Sequence, residues 1–160
     1  MEKAPTQVNE TLKQCLKRSW RIATAESCSG GILATWLTEL PGSSQVYLGG
    51  VSSYSNHLKT KLVQVPAEVI HEFGAVSQQT AELMATNIAQ IAGAEIGLAI
   101  TGIAGPSGGT PQKPVGSVWT AMSIHGQIHS QLLQLKGSRD SIRMESCRLM
   151  FIKLLEVLSE

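Results

Sequence analysis

Two glycine-bearing loops hold the residues of this sequence best equipped for chemistry. The first, TAESCSGG over residues 24–31, sets Ser27, Cys28 and Ser29 ahead of a glycine pair, where an apolar run gives way to a helical pattern. A serine at a helix start meets the positive end of the helix dipole and backbone N–H groups that lack intrahelical partners. The same N–H groups can hold the oxyanion of an acyl-transfer intermediate, and Gly30 and Gly31 would let a substrate approach the backbone. Ser27 or Ser29 would serve equally well as an ordinary helix cap. Spacing alone leaves both readings open. Cys28 is a second candidate nucleophile, but no base adjoins it, and a packed thiol is the expectation.

The second loop, TGIAGPSGG over residues 101–109, opens a long stretch rich in glycine and proline. It matches neither GxxxxGK[ST] nor GxGxxG. Successive N–H groups of GPSGG can still form an anion-binding nest; a flexible turn is the alternative.

A nucleophilic serine needs a base. His57, His71, His125 and His129 fall in segments read as surface helix, loop or outer strand, and none has an evident partner. A lysine whose pKa is lowered by burial can take that role, which makes Lys59 and Lys61 candidates. Arg139 and Arg143, four residues apart, share one helix face and can grip a phosphate or carboxylate, or simply be solvated. No HExxH, DxD or carboxylate cluster implies a metal.

These residues need elements to position them. Val8, Leu12, Cys15 and Leu16 recur at helical spacing, which predicts a first helix running to about Trp20. RIATAE reads as a buried strand. Leu33, Trp36, Leu37 and Leu40 form a helical stripe ending at Pro41-Gly42. QVYLGGVSSYS reads as a second strand, with Gly49-Gly50 allowing a bulge or a close backbone approach. NHLKTKLVQV suggests a short helix stopped before Pro66. Ser77 is the expected cap of a long helix with Ala81, Met84, Ala85, Ile88 and Ile91 inward, ending at Gly93. EIGLAIT is an apolar strand suited to a sheet covered on both faces. GSVWTAMSI and GQIHSQLLQL would pair through a His125-Gly126 turn, and a closing helix follows Ser138. The expected fold is a three-layer α/β/α sandwich with a mixed, mostly parallel sheet, forming one domain over residues 1–160.

Composition narrows the function. Charged residues make up 16% of the 160, and apolar ones 42%. A typical soluble domain carries about 25% charged residues, so a homo-oligomer that hides part of its surface is expected. The net charge of +1 is dispersed, which leaves no electrostatic footprint for nucleic acid. No apolar run reaches a membrane span, and MEKAPTQVNE lacks the apolar core of a secretion signal. Cys15, Cys28 and Cys147 follow no metal or disulfide spacing and read as reduced thiols, so a cytoplasmic protein is expected.

TAESCSGG, GGVSSYSNHLK, FGAVSQQTA and TGIAGPSGGTPQKPVGSV, in this order, together resemble the carboxy-terminal domain of the competence-damage-inducible protein A family, over roughly residues 5–157. Stand-alone versions of that domain are nicotinamide mononucleotide deamidases. The resemblance implies hydrolysis of the carboxamide of that nucleotide to the carboxylate and ammonia, in pyridine-nucleotide recycling, by a serine–lysine mechanism without metal or cofactor. It implies Ser27 as nucleophile and Lys59 as base. Tyr54 and Asn56 share the matched motif and would orient Lys59 or line the pyridine pocket. Ser29 stands where the family more often has threonine, and with Gly30 and Gly31 it would face the substrate. Thr101, Gly102, Gly105, Gly108 and Gly109 would form the ribose-phosphate side, helped by Arg139 or Arg143. A catalytically silent nucleotide-binding module and an accessory interaction domain are the rival readings. The sequence holds no second domain of the kind fused to some family members, which favours an enzyme.

Overall fold

The computed structural model describes residues 3–159; residues 1, 2 and 160 of the expected domain lie outside it. Helix α1 (Thr6–Arg18) leads into β1 (Ile22–Glu26), α2 (Ile32–Glu39) and β2 (Tyr47–Ser52). Then come α3 (Asn56–Val63), α4 (Ala67–Phe73), α5 (Gln78–Ala92) and β3 (Ile96–Gly102). The chain closes with β4 (Ser117–Ile124), β5 (Gln127–Gln134) and α6 (Arg139–Ser159).

The sheet order is β2-β1-β3-β4-β5. β1 pairs parallel with β2 and β3, whereas β4 runs antiparallel to both β3 and β5. Four strands therefore point one way and β4 reverses, the hairpin expected at His125-Gly126. One face is packed by α1, α2 and α6 around Leu33, Leu37, Met150 and Phe151. The other is packed by α3, α4 and α5 around Val63, Ile70, Met84 and Ala85. All five residues of β1 are buried, as an apolar strand covered on both faces requires.

Several local signals act as the sequence predicts. The Ser77 hydroxyl accepts from the Thr80 N–H at the start of α5, and Gly93 ends that helix in the left-handed conformation. Ser138 caps α6 by accepting from the Ser141 N–H. Pairing between β1 and β2 slips at Leu48, so that Ile22 faces Tyr47 and Ala23 faces Gly49. A Cβ on Gly50 would stand 2.0 Å from Thr24 Oγ1, so this glycine serves a close approach between strands.

Other details differ. α1 ends at Arg18 because Ser19 adopts a left-handed conformation, φ 56°. α4 begins just after Pro66, whose missing N–H suits a helix start; no helix is expected there from the sequence. Ile91 is exposed, unlike the rest of its stripe.

Candidate active site

The chain winds from β1 through α2 to β2 on one side of β1, and returns through α3–α5 to β3 on the other. The crevice beyond the carboxyl ends of β1 and β3 is therefore a switch point, where open α/β sheets bind ligands. Ser27 follows β1 directly, and its N–H donates to Ile100 O of β3 at 2.9 Å. A cavity of about 270 Å³ lies here, lined by Ser27, Cys28, Tyr54, Asn56, Lys59 and Arg139 together with Ala75, Val76 and the outgoing limb of the second loop up to Gly108.

Lys59 is delivered by α3. Ser55 caps this helix by accepting from Leu58 N–H, and Lys59, one turn in, is among the most deeply buried side chains of the protein. Lys61, two positions on, is exposed. Lys59 Nζ lies 2.8 Å from Ser27 Oγ and donates to Ser53 O at 2.8 Å. Burial brings its pKa down to about 8. The neighbouring Cys28 thiol is pushed up to about 11 by its own burial. At pH 7 it is neutral, so it neither supplies a thiolate nor charges the site.

The helix start is built differently from the expectation. Neither Ser27 nor Ser29 caps α2. The buried carboxylate of Glu26 accepts from the N–H groups of Gly31, Leu33 and Ala34 at 3.0, 3.1 and 3.0 Å. An anion at a helix N-terminus is favoured by orphan donors and dipole alike. Glu26 is not singled out by the sequence, because an acid at the end of an apolar strand has no motif of its own. Its place one turn ahead of a helix was the available signal.

Ser29 is fully buried and its hydroxyl has no partner among the described residues. Gly30 donates its N–H to Ser27 O and Gly31 to Glu26, so neither amide is left for an oxyanion. None of the three lines the cavity. Within residues 27–31, the Cys28 and Ser29 amides have no acceptor among the described residues.

Arg139 and Arg143 diverge. Arg139 lines the cavity, donating to Gly105 O and, at 2.7 Å, to Tyr54 Oη. The Tyr54 hydroxyl is thus engaged at the rim with Arg139, and Tyr54 itself is largely exposed. Arg143 turns under the first loop, donating to Cys28 O and Ser29 O at 3.0 Å each.

The second loop is an ordered wall. Ile103 and Gly116 bridge its limbs through backbone hydrogen bonds with Ser117 and with each other. Lys113 Nζ donates to Phe73 O, and Thr101 Oγ1 donates to Ala75 O at 2.8 Å. Thr101, Gly102, Gly105 and Gly108 line the cavity. Gly109 faces its own loop, where a Cβ would stand 2.7 Å from Val115 N.

Fold and site together define an α/β/α sandwich with a serine–lysine pair at its switch point. The chain belongs to the CinA C-terminal domain family, whose model matches residues 5–158. It is 46% identical over 143 residues to a CinA-like protein of Gemmatimonas aurantiaca, covering 89% of this chain and 33% of that protein. With a CinA-like protein of Desulfotalea psychrophila it shares 49% identity over 128 residues, covering 80% and 31%. The chain thus spans about a third of the length of these relatives. Among solved structures, competence damage-inducible protein A (ComA) of Klebsiella pneumoniae superposes with TM-score 0.95 at 32% identity, covering 99% of both chains. The competence/damage inducible protein CihA of Agrobacterium tumefaciens superposes with TM-score 0.90 at 34% identity, covering 100% of both.

Proposed function

We propose that this chain is a serine–lysine amidohydrolase that converts nicotinamide mononucleotide to nicotinate mononucleotide and ammonia. The observation that carries the reading is the 2.8 Å contact between Ser27 Oγ and a buried lysine with pKa about 8. A lysine in water is almost wholly protonated at pH 7 and cannot act as a base; one desolvated to this degree can.

In the neutral amine, one N–H stays on Ser53 O while the lone pair faces the Ser27 hydroxyl. Ser27 Oγ attacks the carboxamide carbon as its proton passes to Lys59 Nζ. The tetrahedral oxyanion is met by the Cys28 N–H, beside the attacking oxygen. As the C–N bond breaks, Lys59 gives the proton to the departing nitrogen, which leaves as ammonia. Water then attacks the acyl-enzyme, one of its protons passing through Lys59 back to Ser27 Oγ, and the acid so released ionises to the carboxylate by giving its proton to solvent. The balance is one water consumed for one amide cleaved, with no redox partner.

The cavity suits an anionic substrate. Among the described residues its lining carries the Arg139 guanidinium, charged at any working pH, and no carboxylate. Arg139, at the rim, is the one placed to meet a phosphate.

Purified protein supplied with nicotinamide mononucleotide should release ammonia in step with nicotinate mononucleotide, read by coupled assay and chromatography. Tight binding of the nucleotide without ammonia release would show a silent binding module and end the proposal. Cytoplasmic location and self-association belong to the same reading. The low charge fraction supports self-association.

A further inference from the structure

The loop between β1 and α2 is held from two sides by opposite charges. On one side, the Glu26 carboxylate collects the N–H groups of Gly31, Leu33 and Ala34. On the other, the Arg143 guanidinium collects the carbonyls of Cys28 and Ser29 through Nε and Nη2. A planar trans peptide points its C=O and its following N–H in opposite directions. Fixing a carbonyl therefore aims the amide behind it.

Three peptide units are aimed in this way. With Cys28 C=O turned to Arg143, the Ser29 N–H points away from α6. With Ser29 C=O on the same guanidinium, the Gly30 N–H points away too, and donates to Ser27 O at 3.1 Å. That bond fixes the Ser27–Cys28 peptide and hence the Cys28 N–H, beside the cavity that Ser27 and Cys28 both line. We infer that Arg143 is a positioning residue for the nucleophile loop: through two carbonyls it holds the loop so that the Cys28 amide, beside the cavity, is the donor that receives the oxyanion.

A separate feature makes room for this arrangement. Gly30 has φ +64°, and a Cβ there would stand 3.2 Å from Arg143 Nη2. The space beside Gly30 is used by the arginine rather than by substrate. Arg143 does not line the cavity, so it acts through the loop and touches no reacting atom. A lysine could not reproduce the role, because a point charge on a single nitrogen lacks the fork that holds two carbonyls at once.

The inference rests on the amidohydrolase reading, and the test separates the two. Arg143→Met and Arg143→Lys are compared with wild type for kcat and KM of ammonia release. Sulfonylation of Ser27 by phenylmethylsulfonyl fluoride is followed in parallel by intact mass. In both variants kcat should fall about 100-fold, the cost of disordering an oxyanion donor, while KM stays within about threefold. Added guanidinium ion should restore part of the rate of Arg143→Met, and Ser27 sulfonylation should slow in parallel. Arg139→Met should instead raise KM.

Wild-type kcat in the folded variants, or a raised KM with kcat held, would overturn the inference. Should Arg143→Met fail to fold, Arg143→Lys, which keeps stem and charge, carries the comparison. If wild type releases no ammonia, the amidohydrolase reading fails, and the sulfonylation rates alone decide the role of Arg143. Equal rates in wild type and variants would refute it.

Discussion

Lys59 Nζ sits 2.8 Å from Ser27 Oγ and 2.8 Å from Ser53 O, in a position almost sealed from water. The Ser53 carbonyl leaves one direction of the amine committed and another turned to the serine. Among the described residues no carboxylate is hydrogen-bonded to Lys59 to hold it charged. Desolvation therefore dominates and the pKa falls from 10.5 to about 8.

This fixes the pH dependence. Only the neutral amine can accept the Ser27 proton, and its fraction grows about tenfold per pH unit below the pKa. kcat/KM should rise with pH and level off near pH 8. A pH–rate profile checks this; a rate that falls between pH 6 and 8 would require a different base.

A second consequence concerns stability. Between pH 8 and 10.5 the unfolded chain binds a proton at Lys59 that the folded chain does not, so this residue's contribution to stability rises with pH across that window. Below pH 8 the buried charge is a standing penalty, on the order of 3 kcal/mol from the fall in pKa. Lys59→Met removes it while forgoing two hydrogen bonds worth about 1 kcal/mol each. The variant should be inactive yet melt a few degrees higher at pH 7, about 2–4 °C, with the gain shrinking above pH 8. Thermal scans at pH 7 and 9.5 read this directly, and the buried thiols, present in both proteins, cancel in the comparison. A lower melting temperature at pH 7 would mean that the hydrogen bonds outweigh the desolvation.

Glu26 makes the opposite case, a buried charge that the fold uses. Its two oxygens hold three N–H groups at the start of α2. Glu26→Gln keeps the shape but turns one accepting oxygen into a donor facing donors. Loss of stability of about 1–3 kcal/mol is expected by urea denaturation. Activity should drop as well, since the same loop carries Ser27. A variant as stable as wild type would show that the cap is dispensable.

Most of the frame could be read from the chain alone, because it rests on local signals. The stripe from Ala81 to Ile88, the cap at Ser77 and the stop at Gly93 act within a few residues of themselves. So do the apolar runs of β1 and β3 and the turn at His125-Gly126. The site was legible to the extent that its residues lie in recognisable segments, which is how Ser27 and Lys59 came to be paired. What spacing could not reveal was the wiring between segments distant in sequence. Arg143 reaches Cys28 O across 115 positions, and Arg139 reaches Tyr54 across 85. Nothing within one helix tells which of two arginines on one face turns to the cavity and which turns beneath the loop. In the same way, Gly30 reads as room for a substrate until the guanidinium beside it is seen. The capping role of Glu26 was hidden by two serines that fit the usual cap pattern better.

Ammonia release from nicotinamide mononucleotide by Ser27→Ala, measured beside folded wild type, decides whether Ser27 is the nucleophile. A fall of at least about 1,000-fold in kcat with melting temperature preserved is expected, since among the described residues no other hydroxyl lining the cavity is paired with a base. Turnover by Ser27→Ala at the wild-type rate would contradict it.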